Sequence, residues 1–121
     1  MVDIVIDADS AVPPYEQVRV RIAELAAGGA LAAGAKLPPV RQLATDLGLA
    51  ANTVARAYRE LEQAGLVETR GRAGTVVTAR AARTPVAAQQ AAQRYAEQVT
   101  ALGLSPQAAL ELVRAALGAA G

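Results

Sequence analysis

The side chains best suited to chemistry lie in the middle of the chain. Placed at 100° per residue, Asn52, Arg56, Arg59 and Gln63 share one side of a helix, within about 60° of one another. Val54, Ala57, Tyr58 and Leu61 share the opposite side. Asn, Gln and Arg are the side chains that make bidentate hydrogen bonds to adenine or guanine edges. Thr53, near the start of the helix, can donate to a phosphate or touch a thymine methyl. Base contacts concentrate in the first turns of such a helix, which favours Asn52 and Arg56 over Arg59 and Gln63. Periodicity alone fits a solvated polar stripe equally well. What shifts the balance is a second basic cluster. Arg70 and Arg72 flank the tip Gly71-Arg72-Ala73-Gly74, between the β-prone runs 66–70 and 75–78, and a basic hairpin tip can reach phosphates or the minor groove.

Charge follows the same pattern. Residues 36–80, including Lys36 and Arg41, carry seven cations against four anions, a net +3, whereas residues 1–35 carry −3 and residues 81–121 carry +1. A positive middle in a chain of net charge +1 points to a polyanionic partner.

Other chemistry is excluded by residue type. The 121 residues include no Cys, His, Trp or Phe, which removes thiol nucleophiles, Cys/His zinc sites, Ser-His-Asp triads and disulfides. No carboxylate pair suggests acid–base work, so no enzyme, metal site or cofactor is expected. The start Val2-Asp3-Ile4 is not a secretory signal, and the weakly polar run 25–35 is too short to span a bilayer. A cytoplasmic protein without a membrane partner is expected. Of the 53% hydrophobic residues about half are alanine, 31 in all, and the only aromatics are Tyr15, Tyr58 and Tyr95, each placed by periodicity on a buried face. A core so thin in large side chains makes a lone monomer marginal, which favours an oligomer.

The elements that must position the polar stripe follow from punctuation. Val2 to Ile6 alternates like a short strand. Pro13-Pro14 opens a helix with Tyr15, Val18, Ile22, Leu25 and Ala26 on one face, closed at Gly28-Gly29. A one-residue strand contact is expected at Leu37. Val40 to Leu47 forms a two-turn helix closed by Gly48, and Asn52 is the expected N-cap of the next helix, which ends near Ala64. This order, with Gly48 in a tight turn, is a helix-turn-helix, and the basic hairpin after it makes the wing. Beyond the hairpin come a linker over 79–85 and two helices, near 86–102 and from Ser105-Pro106 onward. The expected fold class is mainly α with a small β-hairpin, a winged helix-turn-helix followed by a two-helix C-terminal tail. The expected segments are an N-terminal strand or arm (1–11), the winged domain (12–78), the linker (79–85) and the tail (86–121).

Six stretches carry a family resemblance. They are Pro14-Tyr15-Glu16-Gln17-Val18; Gly34-Ala35-Lys36-Leu37-Pro38-Pro39-Val40-Arg41-Gln42-Leu43-Ala44; and Asn52-Thr53-Val54 with Ala57-Tyr58-Arg59-Glu60-Leu61-Glu62, Gly65 to Arg70 and Gly74-Thr75. Together they resemble the N-terminal DNA-binding domain of GntR-type bacterial transcription regulators over roughly residues 12–78. The short tail resembles the small YtrA-type branch, in which it serves dimerisation.

The resemblance implies DNA contacts from Arg41, from Asn52, Thr53 and Arg56, and from a wing of Arg70, Arg72, Gly74 and Thr75; Lys36 and Arg59 complete the candidate DNA-binding set. It implies pairing of two copies through the tail, where Tyr95, Val99, Leu102, Leu110, Val113 and Leu117 supply the larger apolar area. The chain departs from the family pattern at three places. Pro39 stands where Ser is frequent, Ala51 and Ala55 stand where Arg is frequent, and Arg72-Ala73 replaces the first glycine of the usual Gly-x-Gly wing tip.

The expected function is a transcription regulator, a repressor that binds a pseudo-palindromic DNA operator as a homodimer. The alternative is a winged helix that docks a protein partner. A small-molecule effector between the tail helices or at the dimer seam is compatible with the chain, but no residue names one.

Overall fold

The computed structural model describes residues 3–120, and among them the backbone forms six α-helices and one two-stranded sheet. The helices are α1 (Pro14–Ala27), α2 (Val40–Leu47), α3 (Ala51–Gln63), α4 (Ala79–Arg83), α5 (Val86–Ala101) and α6 (Pro106–Ala120), with strands β1 (Val67–Thr69) and β2 (Thr75–Val77) between α3 and α4. The chain divides into two compact units, Met1–Gln89 and Gln90–Gly121.

In the first unit the core comes from the predicted faces. Val18, Ile22, Leu25 and Ala26 of α1, Leu43 and Ala44 of α2, and Val54, Ala57, Tyr58 and Leu61 of α3 are all buried together with Leu37, Val67 and Val77. Burial of these side chains is the main driving force holding the three helices together. Pro13 and Pro14 start α1 without a side-chain cap. Gly48 ends α2 in the left-handed conformation (φ 68°, ψ 32°), and its turn lets the Leu49 amide donate to the Ala44 carbonyl at 2.9 Å. Tyr58 fixes α3 against the lead-in to α2, its hydroxyl donating to the Pro38 carbonyl at 2.6 Å.

Strands β1 and β2 pair antiparallel, Val67 with Val77 and Thr69 with Thr75. A further edge joins them. Lys36 bridges Val76, and the Leu37 amide donates to the Thr75 carbonyl at 2.8 Å. The one-residue contact expected at Leu37 therefore centres on Lys36.

Three sequence expectations are corrected. The strand expected from Val2 is not formed over the described residues 3–6; Val2 itself lies outside them. Its alternation instead buries Ile4 and leaves Val5 85% exposed, and no strand pairs with its backbone. Gln17 holds the arm that follows, accepting from the Asp7 amide at 2.8 Å and donating to the Asp7 and Val12 carbonyls. The stretch expected as a linker contains α4, because the Thr78 hydroxyl caps it by accepting from the Ala81 amide at 3.2 Å while donating to the Gly65 carbonyl at 2.8 Å. Tyr15 is half-buried rather than in the core, since it lies at the start of α1 beside α3.

In the second unit, the Tyr95 hydroxyl donates to the Ala109 carbonyl at 2.6 Å and ties α5 to α6. The Ser105 hydroxyl caps α6 by accepting from the Ala108 amide at 3.1 Å. No helix among the described residues is long and apolar enough to cross a membrane.

Candidate nucleic-acid interface

Helix α3 begins two residues earlier than its sequence suggests, with Ala50 and not Asn52 at the N-cap. Ala50 is extended (φ −68°, ψ 146°), its carbonyl accepts from the Thr53 amide at 3.0 Å, and the helix starts at Ala51. Asn52 is thus an exposed residue of the first turn and not the N-cap. The physical reason lies in the turn, where the αL residue Gly48 and the hydrogen bond of the Leu49 amide to the Ala44 carbonyl set the entry angle before Asn52 is reached. The Asn52 side-chain amide is not engaged in capping the helix.

The polar stripe of α3 emerges as expected. Asn52, Arg56, Arg59 and Gln63 are exposed, and Thr53 is half-buried. Asn52, Thr53, Arg56 and Arg59 line one shallow recess of about 410 Å³, which Tyr15 also lines. A second crevice of about 230 Å³ runs between α3 and the hairpin, lined by Ala55, Arg59 and Glu62 on one side and Val67, Thr69 and Thr75 on the other. It brings Thr75 and Arg59, both candidate contacts, to one cleft.

Arg56 is the most constrained of these side chains. Its guanidinium lies over the Tyr15 ring, 3.7 Å from the ring centroid, a cation–π stack between α3 and α1. Its Nε donates to Glu60 Oε2 at 3.1 Å. Glu60 Oε1 lies 3.3 Å from Arg19 Nε, an ion pair whose angle falls short of a hydrogen bond, and Arg19 also pairs with Glu16 at 3.1 Å. Two cations and two anions thus form one chain of contacts. Sequence reasoning marked Arg56 but missed Tyr15, Glu60 and Arg19. The Arg56–Glu60 spacing of four residues was a visible signal, whereas the link to α1 depends on tertiary packing.

The wing tip is a turn of 3₁₀ helix, Gly71–Ala73, that opens on Gly71 and is followed by Gly74, both with positive φ (51° and 79°). Gly71 supplies the conformational freedom that the Arg72-Ala73 departure removes from the next positions. Arg70 Nε donates to Glu68 Oε1 at 2.7 Å, and the Arg70 amide donates to the Gly74 carbonyl at 2.8 Å. A Cβ added at Gly74 would lie 3.2 Å from Lys36 Cε, so the Lys36 stem crosses the base of the wing.

Charge pairing sorts the cations. Among the described residues Arg56 and Arg70 are ion-paired, whereas Lys36, Arg41, Arg59 and Arg72 are in no ion pair. Arg41 stands exposed in the first turn of α2, where Pro39 precedes the helix and supplies no side-chain cap. In the core that supports this face, burial pushes the Tyr58 phenol from 10.0 up to about 12.

The candidate pairing residues lie in the tail. Tyr95 and Val113 are half-buried, Val99 is buried, and Leu102, Leu110 and Leu117 are 76%, 59% and 69% exposed. Leu112, which sequence reasoning did not select, is also exposed.

A three-helix core with a helix-turn-helix, a two-stranded wing and a basic polar face defines a winged helix-turn-helix protein. The comparisons agree. Residues 14–77 match the family of bacterial regulatory proteins, gntR family. The chain is 47% identical over 105 residues to the HTH-type transcriptional regulator Rv1152 of Mycobacterium tuberculosis, covering 87% of this chain and 86% of that one. It is 46% identical over 84 residues to the HTH-type transcriptional repressor YtrA of Bacillus subtilis, covering 69% and 64% respectively. The solved structure of YtrA from Sulfolobus acidocaldarius, a GntR-family transcription factor, aligns with a TM-score of 0.59 at 40% identity, over 62% of this chain and 79% of that one. The chain belongs to the GntR family of bacterial transcription regulators, in its short YtrA-type branch, and is a DNA-binding transcription regulator.

Proposed function

We propose that the chain is a repressor that binds a pseudo-palindromic operator as a homodimer, with α3 in the major groove and the wing on the flanking backbone or minor groove. The observation that carries the reading is the convergence of Asn52, Thr53, Arg56 and Arg59 on one recess of α3. These are side chains that recognise base edges and phosphates. Arg41, Lys36 and the wing residues Arg70, Arg72, Gly74 and Thr75 extend this face along the backbone.

One winged domain contacts too few phosphates for tight binding at physiological salt, so two copies are needed. The tail supports the pairing. Leu102, Leu110 and Leu117 present large apolar side chains to solvent, and the alanines Ala88, Ala91 and Ala92 leave an exposed face of α5 without bulk. Tyr95, Val99 and Val113 build the α5–α6 scaffold under that surface. The named function of the Bacillus relative, a repressor, is the further support for repression over activation.

The experiment is a mobility shift with DNA from upstream of the chain's own gene. The wild type gives a discrete shifted complex, and Arg41→Ala with Arg56→Ala together weaken it by on the order of a hundredfold. Unchanged affinity in that double variant would overturn the assigned face.

A further inference from the structure

We propose that Arg56 reads a guanine, and that Tyr15 and Glu60 are positioning residues that hold its guanidinium for that contact. This rests on the reading of α3 as the DNA-facing helix, and adds which base is read and what holds the reader.

The geometry supplies three arguments. First, Arg56 is fixed on two sides. The Tyr15 ring lies under its guanidinium at 3.7 Å, and Glu60 takes its Nε hydrogen at 3.1 Å. The side chain still has 52% of its surface exposed, so the fixing does not hide it. A long side chain ordered in the free protein loses less rotamer freedom on binding. Second, the hydrogen bond to Glu60 uses Nε and leaves the two terminal nitrogens without a protein partner among the described residues. Those two nitrogens form the end-on fork that matches O6 and N7 of guanine.

Third, the charge balance separates base from phosphate. Arg56 and Arg19 share Glu60, and Arg19 also meets Glu16, so the group of four carries no net charge. A phosphate contact draws its strength from uncompensated charge and counterion release. A guanine contact needs directed donors, which the group retains. Arg59, exposed in the same recess and in no ion pair among the described residues, has the opposite character and suits a phosphate.

The test selects duplexes randomised across one half-site on the full chain, then measures affinity against salt for the selected duplex. Wild type shows one position with a guanine preference. Arg56→Ala reduces that preference by about tenfold or more, while the slope of log K on log salt changes by well under one counterion. Tyr15→Leu and Glu60→Gln flatten the same position and leave the others intact, and Tyr15→Phe, which keeps the ring face, retains the preference. In NMR spectra of the free chain, ring current moves the Arg56 δ protons upfield in wild type and Tyr15→Phe but not in Tyr15→Leu. If Tyr15→Leu does not fold, Glu60→Gln and the Tyr15→Phe spectrum carry the comparison.

Uniform weakening across all sequences in Arg56→Ala, with a slope reduced by about one counterion, would make Arg56 a phosphate contact and overturn the assignment. Full guanine preference in Glu60→Gln and Tyr15→Leu would overturn the positioning role alone. Absence of any base preference in wild type would overturn the reading of α3 itself, an outcome distinct from both.

Discussion

The Arg56 guanidinium lies over the ring of Tyr15, 3.7 Å from its centroid, and joins the helix that carries the polar stripe to the first helix of the domain. The contact explains why Tyr15 is half-buried when Val18 and Ile22, on the same face of α1, are buried. One turn before the core begins, the ring serves as a platform at its edge. Such a stack at a partly exposed site contributes about 0.5–1 kcal/mol. Variants at Arg56 therefore remain folded, and their effects on DNA report on binding.

Tyr58 makes stability depend on alkaline pH. Its phenol sits at about 12 in the folded chain against 10.0 when free, so the folded state keeps a proton that the unfolded state releases. The associated stability is complete below pH 10.0 and declines as pH rises toward about 12. Tyr58→Phe loses the hydrogen bond to the Pro38 carbonyl, worth about 1 kcal/mol at neutral pH, and lacks this decline. Denaturant unfolding of both proteins between neutral and strongly alkaline pH measures it, and the gap between them should narrow in that window.

Two glycines should respond differently to alanine. Gly48→Ala strains a left-handed residue with nothing within 4 Å of the new Cβ, and costs about 1 kcal/mol without touching the DNA face. Gly74→Ala meets a φ of 79° with ψ −152°, and Lys36 Cε 3.2 Å away as well. It costs about 1–3 kcal/mol locally and distorts the wing. Melting temperatures and operator affinity together separate the two, since affinity falls in the wing variant alone. Adding Lys36→Ala relieves the contact but not the backbone strain, so recovery is incomplete.

Within the wing, ion pairing sets which arginine counts on DNA. Arg72 is in no ion pair among the described residues, and Arg72→Ala should lower the salt slope by about one counterion. Arg70 is already held by Glu68, so Arg70→Ala lowers it by less. Glu68→Gln releases Arg70 and tightens binding at low salt. Affinity measured by anisotropy over a range of salt concentrations checks all three.

The exposed tail leucines should control assembly. Leu110→Glu with Leu117→Glu places charge on side chains that are 59% and 69% exposed in the single chain, so helix content by circular dichroism is unchanged. The sedimenting mass falls from dimer to monomer, and operator affinity drops by on the order of a hundredfold as the two modules become unlinked.

Much of the fold was legible because apolar periodicity and glycine punctuation are local signals. The buried side of α3 (Val54, Ala57, Tyr58, Leu61) and the left-handed Gly48 both stand where the sequence indicates. The misreadings involve long-range partners. The alternation of residues 2–6 promised a strand, but a strand needs a neighbouring edge. Helix α4 depends on a Thr78 hydroxyl that also bonds Gly65, 13 residues away. For the candidate site, residue types were legible and their pairings were not. Asn52, Thr53, Arg56 and Arg59 could be selected by spacing, whereas the hold of Tyr15 and Glu60 on Arg56 appears only when α1 and α3 pack.

Whether a paired winged helix reads a two-fold operator is decided by the salt dependence of binding to a full operator and to either half alone. Two chains should bind each full site, with a slope near twice that of the half-site, and binding to the half-site should be weaker by on the order of a hundredfold or more. One chain per site, with equal slope and affinity on full and half operators, would contradict it.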